Sequence, residues 1–541
     1  MIRKIPCSWS RLALAAWLSV AAIQAQTAEE KQLARARDSA RIAGYSLGKV
    51  QRWLREICLP AIDPDTGLFR DFGEKTETWN YRDTAADCYP FVVWAAYLTD
   101  TDVFQGAMRR ILQAEQKLCN RVDRLPVDYS FRTRRQAEVT PDQMVFGASE
   151  YVKDGLVAIV ELTGRNEWFE RYRGIVDDLF AHAAYDTPYG KIPSDNVEVN
   201  GDLLQALPRL YTMTGDRKYL EWAHRIADRY LKPGGFVPAR LSDHGCEIIG
   251  GLGLLLAVDA TADPPKAKEY EPHYRYMADQ ILLRGTNSDG IVVGDLQPAV
   301  GPHDNVVTRD GWGYDYVGLL DYDMALPQPR YTNYIRFAMG NLLKPRYRNF
   351  NWDHSSRDNL ADSVEGGLYL LQYLPVEAAF AWADRETALV LADEANPDRL
   401  WETQKLEANA VRTVLIHAML HTCNTIARPW RGDLQLGAAP LDGGLVAVMK
   451  AEKDYRGLLQ FDIPRHRAWF RFEKNWPRMN TMPEWFVVEP GCRYAWKDLA
   501  DGTDKEYSGE QLSRGIEVRL RAGQMRSWRL QPLPGAGAAP R

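Results

Sequence analysis

No basic tract runs through these 541 residues, and 67 Lys and Arg against 72 Asp and Glu leave a net charge of −5. A nucleic-acid partner is therefore not expected. Cysteine is scarce. Cys7 lies in the N-terminal segment, and the other six (Cys58, Cys88, Cys119, Cys246, Cys423 and Cys492) show no C-x-x-C spacing. That pattern argues against zinc or iron–sulfur ligation and leaves one or two disulfides open but unassigned. Also missing are a Gly-rich phosphate loop, an H-E-x-x-H motif and a G-x-S-x-G motif. Their absence argues against nucleotide binding, zinc proteolysis and serine-hydrolase chemistry, and no cofactor or metal is expected. Beyond the first residues, no stretch reads as apolar enough to cross a membrane.

The N-terminus has the layout of a secretory leader. Arg3 and Lys4 precede an apolar run from Leu12 to Ile23, and Ala25 is the small residue before a cut. A run of roughly a dozen residues is too short to span a bilayer. Residues 1–25 are thus expected to be a signal peptide. The mature chain is expected to be periplasmic or secreted, with no membrane after cleavage. Cys7 precedes the apolar run and is not placed as a lipid anchor.

From Leu33 to Cys423 the chain repeats itself. Leu162-Thr-Gly-Arg-Asn-Glu-Trp-Phe169 parallels Met213-Thr-Gly-Asp-Arg-Lys-Tyr-Leu220, and more loosely Leu98-Thr-Asp-Thr-Asp-Val-Phe104. Each ends one helix, with Gly164 or Gly215 suited to a left-handed cap, and opens another with inward aromatics. Stripes at helical period follow, such as Trp168, Tyr172, Ile175, Leu179 and Tyr219, Ala223, Ile226, Tyr230. Repetition at intervals of roughly 45 to 70 residues means stacked helical hairpins. Six are expected, their first helices opening near Asp87, Asp154, Asp202, Glu247, Asp315 and Asp362. These first helices are poor in charge and hold small residues, whereas the second helices are more charged, which predicts an inner and an outer ring. The fold class is mainly α: an (α/α)6 barrel (26–427) with the six acids meeting at one mouth.

After Arg428 the period shortens. Leu445–Val448, Leu458–Ile463, Trp469–Phe472, Trp485–Glu489, Ile516–Arg521 and Met525–Leu530 read as strands between turns. A small antiparallel β-sandwich is expected over 428–533, followed by a disordered tail over 534–541.

The segment Asn351–Leu371 carries the densest chemistry. Asp358, Asp362 and Glu365 fall at i, i+4 and i+7, so a helix places the three carboxylates on one face. Crowded carboxylates raise one another's pKa, which keeps one protonated as a general acid; helix-dipole pairing is the alternative explanation. Glu365, deeper in that helix, suits the acid, with a less buried carboxylate such as Asp202 or Asp362 as base. The loops entering the inner helices add Trp79 and Arg82, then His303, Asp304, Arg309, Trp312 and Tyr314, then Trp352, His354 and Arg357. Long loops of this kind in a compact domain usually carry function. The arginines suit a carboxylate ligand bidentately and the tryptophans suit stacking on sugar rings.

The run Asp202-Leu-Leu-Gln-Ala-Leu-Pro-Arg-Leu-Tyr211, followed by Thr214-Gly-Asp-Arg-Lys-Tyr219, resembles the catalytic-aspartate helix of unsaturated glucuronyl and rhamnogalacturonyl hydrolases. That resemblance implies the acid role for Asp202. The segments 358–375, Phe461-Asp-Ile-Pro-Arg-His466 and Pro483-Glu-Trp-Phe-Val-Val-Glu489 are similar to β-glucuronidases of glycoside hydrolase family 154. The chain departs from the uronyl hydrolases in its β region and in lacking a match to their second aspartate.

The resemblances imply an exported exo-acting glycoside hydrolase that removes a uronic acid from an oligosaccharide or polysaccharide. Its catalytic candidates are Asp202, Asp362 and Glu365. The alternatives are a uronate lyase using His303, Asn305, Tyr314 and Tyr316, an unsaturated glucuronyl hydrolase, and a non-catalytic glycan-binding protein. Oligomeric state, linkage, stereochemical course and any calcium requirement stay open at this level.

Overall fold

A computed structural model describes the chain except residues 1–8, 71–76, 243–244, 349–356, 393–407 and 535–541, and except the side chains of 9–27, 357 and 358. The expected cleavage site and the tail beyond Pro534 fall outside the described side chains. Two compact units divide the chain: Lys49–His417 with Pro464–Glu484, and Met1–Gly48 with Ala418–Ile463 and Trp485–Arg541.

In the first of these units, side-chain caps start the helices. Asn166 and Asn196 accept the first free backbone N–H groups of the helices that follow, as does Thr140 in a capping box. The helices of the chain in order are α1 (Trp9–Trp53), which belongs to the other unit up to Gly48, α2 (Tyr89–Thr99), α3 (Arg109–Cys119), α4 (Pro141–Glu150) and α5 (Val157–Thr163). Then come α6 (Glu167–Ala181), α7 (Val197–Thr214), α8 (Arg217–Leu231), α9 (Gly245–Ala262) and α10 (Pro264–Arg284). The last are α11 (Trp312–Ala325), α12 (Thr332–Gly340), α13 (Arg357–Tyr373), α14 (Glu377–Leu391) and α15 (Ala408–Thr422). As expected, Gly164 and Gly215 end α5 and α7 at positive φ, 77° and 79°.

The hairpins are α2/α3, α5/α6, α7/α8, α9/α10, α11/α12 and α13/α14. The first member of each packs against its neighbours in the ring. Trp94 Nε1 in α2 donates to Ala158 O of α5 at 2.8 Å. Glycines let inner backbones meet: a Cβ added to Gly253 of α9 would lie 2.7 Å from Gly318 O of α11. A Cβ on Gly313 of α11 would lie 2.5 Å from the carbonyl carbon of Gly366 in α13. The expected stripes of α6 and α8 are buried. The ring closes through α15, whose Thr413 Oγ1 donates to Ala361 O of α13 at 2.9 Å and whose Arg412 lies 4.9 Å over the Phe91 ring of α2. This is the α/α barrel read from the repeats.

One reading of the sequence is corrected here. Helix α9 is long and apolar enough to cross a membrane, with mean hydropathy 1.5, but 83% of it is buried in the protein. A helix enclosed by neighbours on all sides is apolar all round.

The other unit carries two antiparallel sheets. Its strands are β1 (Ile426–Arg428), β2 (Leu434–Leu441), β3 (Gly444–Ala451) and β4 (Tyr455–Gln460), then β5 (Arg493–Asp498), β6 (Asp504–Ser508), β7 (Ile516–Leu520) and β8 (Met525–Pro532). One sheet has the order β6-β5-β8-β3-β2 and the other β7-β4-β1. Register places Ala438 opposite Ala447 and Trp496 opposite Leu530. Ala36 of α1 is buried with Ala439, Leu441, Val446 and Val448 of the larger sheet.

Trp469–Phe472 and Trp485–Glu489 are not strands, contrary to expectation. The first follows a short helix, Arg465–Ala468, in a segment (464–484) that belongs with the barrel. Phe470 and Phe472 are both buried outside any strand and stack on each other at 5.6 Å.

Candidate functional site

The head of the second hairpin is distorted: α4 passes into α5 through a π-helical turn, Tyr151–Leu156. Such bulges re-aim side chains and recur at functional sites. This one turns Lys153 and Asp154 into the barrel, both buried. Lys153 Nζ donates to Asp154 Oδ1 at 2.7 Å and to Glu247 Oε1, on α9, at 2.5 Å. Gln205 of α7 donates to the other Glu247 oxygen. Asn480, from the 464–484 segment, donates to Asp154 Oδ1 at 2.8 Å. Glu150 shares hydrogen bonds with Asp154 and Glu198. Asp87 lies in the corresponding π-helical turn, Thr84–Cys88, ahead of α2.

In this group Asp202 stands apart. It is 0% exposed, and neither of its oxygens has a hydrogen-bond partner. Burial pushes its pKa well above the usual carboxylate range; Lys153 opposes the rise, and the charges of Glu247, Asp154 and Glu198 add to it. Burial likewise raises Glu150, helped by Asp202 and by the hydrogen bond to Glu198. Asp154 moves the other way. Burial alone would raise it, but Lys153, Glu150 and Asn480 hold it below its ordinary value. Lys153 is raised, because the surrounding carboxylates outweigh the burial that would lower it. An acid pushed towards its neutral form thus sits beside a carboxylate pushed towards its ionised form.

Two further acids join from the fifth and sixth hairpins. Asp315 is fully buried with neither oxygen hydrogen-bonded, raised by burial and by the charges of Glu247 and Asp310. Glu365 is 1% exposed and fully partnered: Arg412 Nη2 lies 2.6 Å from Oε2, Tyr314 donates to the same oxygen at 2.5 Å, and Tyr369 donates to Oε1. Burial raises Glu365 while Arg412, Tyr314, Tyr369 and the more distant Lys153 oppose the rise. Asp362 pairs with the same Arg412, its side chain 21% exposed. The heads of the second to sixth inner helices therefore converge on one mouth.

Of the residues singled out in the sequence, the structure brings Asp202, Asp362, Glu365 and Tyr314 into this region. Asp202 is not the less buried carboxylate it was expected to be beside Glu365. It lies in a helix buried almost throughout, whereas Asp362 retains exposure. Trp79 and Trp312 are corrected as stacking platforms, since both are core residues. Trp79 packs edge-on to Tyr89 at 5.8 Å, and Trp312 packs edge-on to Trp382 at 6.1 Å. Arg82 lies 5.3 Å over the Phe146 ring. His303 bonds Ala299 O, and Asp304 binds Ser288 and Arg346, a separate surface network. Arg309, half-buried, lies against Gly294 ahead of α11. Trp352 and His354 lie outside the described residues, as does the Arg357 side chain.

The sequence reading passed over Glu150, Lys153, Glu198, Arg412, Tyr369 and Asn480. Two carried a signal: Lys153 is the one Lys or Arg in 141–163 and Arg412 the one in α15, and a buried cation is too costly to keep without an acid partner. Asn480 carried none.

No protein-family profile matches the chain, and no curated protein does. Solved structures similar to it include a sugar epimerase from a ruminal bacterium, at 10% identity and TM-score 0.38, covering 55% of this chain and 86% of that one. The α-1,6-mannanase GH76A of Salegentibacter sp. HEL1_6 is similar at 12% identity and TM-score 0.38, covering 69% and 99%. A GH127 β-L-arabinofuranosidase from Geobacillus stearothermophilus T6 is similar at 11% identity and TM-score 0.35, covering 82% and 71%. At these levels the likenesses carry no argument about activity, which rests on the site.

Proposed function

We propose that the protein is a glycoside hydrolase that removes a uronic acid of the β-glucuronide type from a glycan. One observation carries the reading: the buried carboxyl of Asp202, without hydrogen-bond partners and held neutral, among the other carboxyl groups of the barrel mouth. Glycoside hydrolysis needs a carboxylic acid to protonate the leaving oxygen and a carboxylate to activate water or attack the sugar. Asp202 serves as the acid. Asp362, ion-paired to Arg412 and partly exposed, serves as the carboxylate. Its exposure lets water or sugar reach it.

The uronate specificity in this proposal is supported by Arg309 at the entrance to α11 and by the resemblance read in the sequence segments 358–375, 461–466 and 483–489. A guanidinium binds a carboxylate with two parallel hydrogen bonds, which an ammonium does not reproduce. Burial raises the hydroxyl pKa of Tyr314, helped by Asp362 and Glu365, and that of Tyr316, helped by Tyr334 and Asp315, which disfavours in both the phenolate that a lyase base requires and speaks against the lyase alternative. Export through the N-terminal leader is part of the same proposal. The test is incubation with uronate-capped oligosaccharides. Free uronic acid without new ultraviolet absorbance supports the reading; a conjugated double bond in the product, or no release from any uronate-capped glycan, contradicts it.

A further inference from the structure

Residues 464–484 leave the sheets to re-enter the helical unit, and their path is fixed at several points. Arg465 donates to Glu161 O at 2.7 Å, Lys474 to Met324 O at 2.9 Å, and Tyr373 to Trp476 O at 3.1 Å. All three partners lie towards the C-terminal ends of inner helices, opposite the acid-headed ends. The segment then climbs to a tip at 478–481. Arg478 Nε donates to Glu161 Oε1 at 2.7 Å and Thr481 Oγ1 to Glu161 Oε2 at 3.1 Å, while Arg209 Nη2 donates to Met479 O at 2.8 Å. Between these anchors Asn480 takes φ 54°, a left-handed conformation that asparagine tolerates better than most residues. Its amide bonds Lys153 O at 3.2 Å as well as Asp154 Oδ1. The Thr481 N–H bonds the Tyr369 hydroxyl, which donates in turn to Glu365. Two adjacent tip residues thus touch both halves of the site.

We propose that Asn480 is a positioning residue, the point at which the re-entrant segment fixes Asp154, and through it the carboxylates around Asp202, in their working arrangement. The inference rests on the reading of Asp202 as the acid and adds to it a group supplied from outside the helical repeats. Asn480 cannot move away without breaking the contacts of Arg478 and Thr481 with Glu161. Its N–H stabilises the ionised form of Asp154, and an ionised Asp154 makes loss of the Asp202 proton harder. The other titratable groups facing this pair are Glu150 and Lys153 from the second hairpin, Glu198 from α7 and Glu247 from α9. Asp315 of α11 acts one step removed, through Glu247.

The test uses Asn480→Gly, which keeps the left-handed backbone and removes the donor, and Asn480→Asp, which keeps size and replaces the donor with an acid. In the full-length protein, the infrared carboxyl band of Asp202, assigned by its loss in Asp202→Asn, is titrated together with the alkaline limb of kcat/KM. Asn480→Gly should move both to lower pH, by less than the effect of one whole neighbouring charge because Lys153 still holds Asp154, and Asn480→Asp should move them to higher pH. Either variant decides the matter. If a folded variant titrates as the wild type does, whatever its melting temperature, Asn480 is structural and the inference is overturned. The infrared band also separates the two claims, because it is read without substrate. A wild type inactive on every glycoside sinks the hydrolase reading, while unmoved titrations in an active enzyme sink only the role of Asn480.

Discussion

Lys153 reaches past the third hairpin to Glu247, Nζ to Oε1 at 2.5 Å, tying the second inner helix to the fourth across the head of the one that carries Asp202. This cation keeps Asp154 ionised and moderates the rise in Asp202. It is compensated by several acids, so it organises the site without making it positive.

Stability should fall as pH rises through neutrality. Asp202, Asp315 and Asp321, all fully buried with no hydrogen bond to either oxygen, and Glu150 have folded-state pKa values well above their ordinary ones. The folded state therefore binds more protons than the unfolded state above about pH 4, and the stability they contribute is lost as pH rises through the raised values. Asp154 and Glu161 are lowered, so their contribution is lost on acidification instead. Melting temperature should peak at mildly acidic pH and decline between about pH 5 and 8. A melting curve rising across that interval would contradict these assignments.

Arg412→Met should destabilise strongly. Arg412 is buried between Asp362 and Glu365, and removing one partner of a buried ion cluster costs about 3–5 kcal/mol. Denaturant unfolding measures this. Arg412→Lys should recover only part of the loss, since an ammonium does not reproduce the guanidinium's fixed fork of donors.

Glu161→Gln tests the anchoring of the re-entrant segment. Glu161 is 0% exposed and accepts hydrogen bonds from Arg209, Arg478 and Thr481. Neutralising it leaves two buried guanidinium groups without their counter-charge, at a cost of about 3–5 kcal/mol. Limited proteolysis should then cut within 464–484 before it cuts the helical hairpins. A wild-type cleavage pattern would show that the segment is held by other contacts.

The helical repeat was legible because its periodic stripes, glycine caps and small-residue inner helices are local features, and local features survive in sequence. The glycine pair Gly313 and Gly366 shows why: close helix approach demands small residues at fixed positions. Long-range placement was not legible. Phe470 and Phe472 alternate as a strand would, and nothing near them says that residues 464–484 belong with a barrel built by residues up to 417. Asp202 and Glu365 both stand out in the sequence, but their relative burial does not. Depth within a helix does not reveal how a neighbouring segment such as 478–481 closes over it. Trp79 and Trp312 sit beside polar loops in sequence yet point into the core.

The central claim, that Asp202 is the proton donor, is tested most directly by leaving-group dependence in Asp202→Asn. A general acid typically contributes on the order of a hundred- to ten-thousand-fold in rate, and that help matters only where the leaving oxygen needs a proton. The variant should lose that factor in kcat/KM on an alkyl glucuronide and little on a dinitrophenyl glucuronide, whose leaving group departs as an anion. Its melting temperature should change little, because one neutral buried group replaces another. An equal loss on both substrates, or full activity on both, would contradict the account.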